Sequence, residues 1–124
     1  MTSEEDSLKV LSSIFNDRIL KSSSRLLILI CLSMNRKLGF TELSKLTGLA
    51  KGSLGNHITK LSSSGLISVS EHSFFTSRRI VIKITVKGLE TINKYVTAIN
   101  ELELIEKQQN NFFKSIDDTS HKIN

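Results

Sequence analysis

Residues Phe40 to Ile67, FTELSKLTGLAKGSLGNHITKLSSSGLI, constrain the fold more than any other stretch. They read as a short helix, a tight turn, a second helix and a glycine stop. Thr41 is the expected N-cap of the first helix, and Glu42 sits in its first turn, where the helix dipole favours an acid. Leu43 and Leu46 form its apolar stripe. Thr47-Gly48-Leu49-Ala50 makes the turn, with Gly48 free to take positive φ. The second helix is predicted from Lys51 to Ser63, with Leu54, Ile58 and Leu61 at helical spacing. Gly65 ends it as the residue after the cap.

A helix-turn-helix has this layout: the first helix braces, and the second lays its N-terminal residues in the major groove. The outer face of the second helix carries Lys51, Ser53, Asn56, His57 and Lys60, and its early residues Gly52, Ser53 and Gly55 are small. Two helical glycines cost about 1 kcal/mol each relative to alanine. Close approach of a backbone or phosphate explains keeping them. Two ordinary core helices with an indifferent surface are the plainer alternative, and the residues after Gly65 weigh against it.

Beyond Gly65 the apolar period changes to two. Leu66 to Ser70 reads as one strand and Arg79 to Thr85 as another, with Ile80, Ile82 and Ile84 on one face. Glu71 to Ser77 is the polar connection, and the two strands it joins make a hairpin of the kind called a wing. Arg78 and Arg79 are its candidate phosphate or minor-groove contacts, against the alternative of a solvated strand end. Of Phe74 and Phe75, one is expected to pack back on the helices.

Upstream, Ser3 followed by Glu4, Glu5 and Asp6 starts a helix running to about Leu20. Ser22-Ser23-Ser24 breaks it and caps the next, about Arg25 to Met34, which is apolar nearly all round and expected at the centre of the core. Cys31 lies in that run and reads as a small buried hydrophobe. Asn35 to Gly39 is a loop with a short strand near Leu38 to Phe40. Downstream, Thr85 caps a long last helix. Its stripe of Leu89, Ile92, Val96, Ile99, Leu102, Ile105, Gln109, Phe112 and Ile116 covers about 28 residues, or roughly 40 Å. That is too long for one small domain to cover. The same helix of a second subunit is the expected partner, with the N-terminal helix contributing. The candidate dimer residues are Leu11, Phe15, Ile92, Val96, Ile99, Leu102, Ile105 and Phe112. Folding back on its own domain is the alternative. Asp118 to Asn124 is expected to fray.

The 124 residues are expected to make one domain: a winged-helix core over 22–85, with helices over 1–21 and 86–117 at the dimer interface. The fold class is mainly α with a small β-hairpin (α+β). The net charge is +5, yet residues 36–90 alone carry +6, so the cationic surplus coincides with the helix pair and the hairpin. Nucleic acid is the anionic partner this favours first. The apolar run around Cys31 is far short of the roughly 20 residues that span a bilayer, and the acidic N-terminus has no signal-peptide pattern. A single cysteine fits a reducing, cytoplasmic interior. No phosphate-binding glycine loop occurs. His57, His72 and His121 lack the neighbours of a metal site, and no nucleophile constellation is present. A non-enzyme without a cofactor or metal is the reading.

Gly52-Ser53-Leu54-x-x-His57-Ile58-x-x-Leu61-x-x-x-Gly65-Leu66-Ile67 is similar to the recognition-helix signature of winged helix-turn-helix regulators of the MarR and ArsR type. Ile84-Thr85-x-x-Gly88 resembles their junction between wing and last helix. The resemblance covers about residues 20 to 105. Small size, basic balance and the long last helix look closest to the small archaeal Lrs-type regulators. The resemblance implies a homodimeric cytoplasmic transcription factor on promoter DNA. The cysteine pair of metal-sensing ArsR members is absent, and no MarR-like cysteine switch is seen.

On this reading Ser53, Asn56 and His57 face base edges. Lys51, Lys60, Arg78 and Arg79 hold phosphates, Thr41 assists from the bracing helix, and Gly52 permits close approach. Two other functions fit the same elements: a protein-binding winged-helix subunit, and an architectural protein that coats DNA with little sequence choice. Operator, sign of regulation and effector are not legible. Ser22–Ser24 and Ser62–Ser64 read as cap and turn serines before phosphorylation sites; a phosphate at 62–64 would oppose DNA binding.

Overall fold

The computed structural model describes residues 3–74 and 77–123. Helix α1 (Ser3–Asn16) opens with Glu4, Glu5 and Asp6 in its first turn. It stops one turn earlier than the apolar spacing predicts. Asp17 takes over the backbone there: its Oδ1 accepts from the amides of Ile19 (2.8 Å) and Leu20 (3.1 Å). Leu20 is still buried, so the apolar pattern persists through a turn that is not helical.

Helix α2 (Ser23–Asn35) is capped by Ser22, whose side chain accepts from the Arg25 amide. Ile28, Leu29 and Leu32 are fully buried and lie at the centre of the core. Burying such a side chain stabilises the fold by about 1.5–3 kcal/mol. Leu27 and Met34 point outward, so α2 has one broad buried face and is not covered all round. Cys31 is half-buried at the edge of the core, and burial pushes its thiol up.

Strand β1 (Lys37–Gly39) runs straight into helix α3 (Phe40–Thr47). This shifts the helix start. Gly39 is the N-cap and makes no side-chain bond, so Thr41 lies inside the first turn and does not cap. Helix α3 ends where Gly48 takes φ +73° and its amide donates to Ser44. Helix α4 (Lys51–Ser63) has the predicted limits, with Leu54, Ile58 and Leu61 buried. At its end the Gly65 amide donates to Ser62 and the Leu66 amide to Leu61, with Gly65 at φ +77°. These are the two bonds of a Schellman motif.

Strands β2 (Ile67–Phe74) and β3 (Ser77–Ile84) are longer than the sequence suggests and leave only residues 75–76 between them. The sheet order is β1-β3-β2, all antiparallel. Ile82 and Ile84 turn to the core, but Ile80 is exposed, because the hairpin has by then left the body of the protein. The rings of Phe74 and Phe75 lie outside what is described.

Helix α5 (Val86–Ile123) comes next, running past the expected end near residue 117. Thr85 caps it: its hydroxyl accepts from the Gly88 amide (3.1 Å) and donates to the Gly65 carbonyl (2.7 Å). Gly88 is required by packing. A Cβ there would lie 2.2 Å from the Leu66 carbonyl oxygen and 2.7 Å from Ile84 Cγ1.

Helix α1 packs along the first half of α5. Phe15 meets Tyr95 edge-on, with centroids 6.0 Å apart, and the buried Ser7 hydroxyl donates to Glu101 at 2.6 Å. Two expected dimer residues, Leu11 and Ile92, are therefore covered within the single chain, at 7% and 1% exposure. Both are taken up by the chain's own packing and offer little surface to another molecule. Leu102 and Ile105 are half-covered, while Phe15, Val96, Ile99 and Phe112 stay exposed. Beyond Ile105, α5 stands clear of the body, with Phe112, Phe113 and Ile116 bare.

Candidate nucleic-acid interface

The N-terminal half of α4 is raised on three buried side chains, Leu54, Ile58 and Leu61, which set its rotation. That rotation puts Lys51, Gly52, Ser53, Asn56 and Lys60 at the surface and His57 at the edge of it. The first intrahelical bond, from the Leu54 amide to Ala50, leaves the amides of residues 51–53 facing outward from the helix start. Apart from the neighbouring residues of α4 itself, no described atom lies within 4 Å of a Cβ built on Gly52 or Gly55. The protein's own packing therefore gives no reason for either glycine.

His57 differs from its neighbours. Its Nδ1 lies 3.2 Å from Nη1 of Arg25, which is 6% exposed. The same guanidinium donates from Nε to the Ile19 carbonyl (2.5 Å) and from Nη2 to the Arg18 carbonyl (3.4 Å). Arg25 thus ties the turn between α1 and α2 to the second helix of the pair. Burial, and then the positive charges of Arg25 and Lys60, hold the imidazole below its ordinary value of 6.5. Periodicity does not single out Arg25. Its one signal in the sequence is a charged residue opening an otherwise apolar helix.

The wing arginines are both engaged within the chain. Arg79 is bonded to Glu42 on α3, and Arg78 lies 3.5 Å from Glu71 across the hairpin. Gly39 makes room for the first pair, since a Cβ there would sit 3.2 Å from both Arg79 and Glu42. Thr41 is exposed on α3 next to Glu42. Thr41, Arg78 and Arg79 line a common open groove between α3 and the wing.

The pairing of the strands brings side chains together on the outer face of the sheet. Lys37 and Lys83 stand opposite each other on β1 and β3, and His72 opposite Arg79 on β2 and β3. Among the described residues neither lysine has a carboxylate within 4 Å. Nor does any group of three His, Cys, Asp or Glu side chains there come together as a metal site. None of the described helices is long and apolar enough to cross a membrane.

A helix pair with an exposed, small-residue second helix, joined to a basic two-stranded wing, defines the winged-helix class. The chain belongs to the winged helix DNA-binding domain family, whose model matches residues 24–102. Among solved structures, a transcriptional regulator homologue from Pyrococcus horikoshii is 29% identical, with a TM-score of 0.67 over 76% of this chain and 93% of its own. S. aureus MepR, solved in complex with DNA, shares the fold at 16% identity, with a TM-score of 0.68 over 91% of each chain. A MarR family transcriptional regulator from Silicibacter pomeroyi shares it at 20% identity, with a TM-score of 0.59 over 82% of this chain and 62% of its own. No curated protein sequence matches the chain.

Proposed function

We propose that the protein is a transcription regulator that binds promoter DNA as a homodimer and reads its sequence. The observation that carries this is the surface of α4: exposed Lys51, Ser53, Asn56 and Lys60, and two glycines whose empty surroundings the chain itself does not use. Helix α4 lies in the major groove, with Ser53, Asn56 and His57 toward base edges and Lys51 and Lys60 toward phosphates. Gly52 lets the backbone close on the duplex. Thr41 and the wing arginines Arg78 and Arg79 hold the flanking strand. The bare apolar positions Phe15, Val96, Ile99 and Phe112, with Leu102 and Ile105 beside them, pack against a second copy. That pairing sets two α4 helices about one turn of DNA apart.

The test is a gel shift with the DNA upstream of the protein's own reading frame, against random DNA of equal length at physiological salt. A preference of about 10³ or more, typical of specific binders, supports the proposal. Equal binding to both would make it an architectural protein, and no binding at low salt would make the wing and α4 a protein-docking surface.

A further inference from the structure

Arginine is a donor at every nitrogen and accepts nowhere. The 3.2 Å contact between Arg25 Nη1 and His57 Nδ1 therefore has one chemical meaning: Nδ1 carries a lone pair and accepts. In a neutral imidazole the proton then sits on Nε2. Among the described residues Nε2 has no protein partner, and the ring is only partly covered, on the face of α4 that also bears Ser53, Asn56 and Lys60. Arg25 cannot swing away at no cost. It is buried, and its two other bonds to the Ile19 and Arg18 carbonyls fix the guanidinium.

We infer that Arg25 is a positioning residue that fixes the tautomer of His57, so that α4 presents a hydrogen-bond donor to a base-edge acceptor in the major groove. This rests on the proposed DNA-binding function. In that groove the purine N7 atoms, guanine O6 and thymine O4 accept, while cytosine and adenine amino groups donate. A histidine free to exchange tautomers would serve either class. One locked by Arg25 selects acceptors and leaves an amino group facing N–H. Lysine at position 25 keeps a donor but has neither the planar fork nor the second and third bonds.

The tautomer is read without DNA, from the ring-nitrogen chemical shifts of the ¹⁵N-labelled full chain at about pH 7.5, where the imidazole is neutral. The expected result is an unprotonated Nδ1 and a protonated Nε2 in the wild type, with R25M moving the ring toward a mixture. A protonated Nδ1 in the wild type overturns the inference, whatever the DNA result, and needs no variant to fold. The second readout is a scan of the bound site with bases that lack purine N7, guanine O6 or thymine O4, one position at a time. Losing one such acceptor at one position should weaken the wild type by about tenfold, the lower end of what one good base contact contributes, and leave H57A unaffected. Identical scans for the wild type and H57A at all three kinds of acceptor would overturn the donor role. Failure of the whole chain to bind any duplex would overturn the DNA reading and leave the tautomer result standing.

Discussion

Arg79 on the wing is bonded to Glu42 on the helix that braces α4. A phosphate that recruits Arg79 must compete with this carboxylate. Both side chains are more than half exposed, so the pair itself contributes at most about 1 kcal/mol to stability. Replacing Glu42 by Gln is expected to leave the unfolding midpoint nearly unchanged and to tighten DNA binding. Arg79→Ala should weaken binding to all sequences and lower the salt slope by about one phosphate contact. Affinity measured across a salt series checks both, and an unchanged slope in the alanine variant would take Arg79 off the backbone.

Gly55 lies in the interior of α4 with nothing around its missing side chain. Gly55→Ala should therefore stabilise the free protein by about 0.5–1 kcal/mol. If the space belongs to DNA, the same change weakens binding. Opposite signs in urea unfolding and in affinity are the expected pair of results, and Gly52→Ala should share the loss of affinity.

Gly88 presents the contrary case. An added methyl would press on the Leu66 carbonyl and Ile84, and backbone cannot yield as a flexible side chain does. Gly88→Ala is expected to destabilise the protein by about 1–3 kcal/mol, the usual range for overpacking, despite the better helix propensity of alanine. Denaturant unfolding of the two glycine variants side by side separates the site held open for a ligand from the site closed by packing.

His57 links stability to pH. Its folded-state value is held below 6.5 by burial and by Arg25 and Lys60. Below 6.5 the unfolded chain therefore binds the proton more readily than the folded one. Stability is insensitive to this group well above that value, falls as the pH drops below it, and levels off once the folded imidazole also protonates. Protonation also removes the acceptor that Arg25 uses. Relative to the wild type, His57→Gln should lose less stability between about pH 7 and pH 5, the span in which histidine titrates. Equal losses in thermal or urea melts would show that His57 titrates normally.

The residues with a local cause are legible in the sequence. Leu54, Ile58 and Leu61 define the limits and rotation of α4, Gly48 and Gly65 its flanking turns, and Ser22 and Thr85 the caps of α2 and α5, because each acts through neighbours a few positions away. Helix α1 looks too long in the sequence, since Ile19 and Leu20 keep helical spacing through a turn held by Asp17. Thr41 has the composition of a cap but not its position, because β1 delivers the chain directly to Phe40. The wing strands look too short, since polar residues on both faces hide the period once a hairpin leaves the core. Leu11 and Ile92 share an apolar pattern with the exposed residues, and only the packing of α1 on α5 tells them apart. The Arg25–His57 contact joins residues 32 apart, a distance no periodicity reports.

The central claim is a symmetric pair of chains with one α4 helix in each of two successive major grooves. Footprinting on the upstream DNA, with the mass of the same complex in solution, tests it most directly. The expected result is two protected half-sites about 10 base pairs apart, centre to centre, on a complex holding two chains. A single chain on the DNA, or no protected site at low salt, would contradict it.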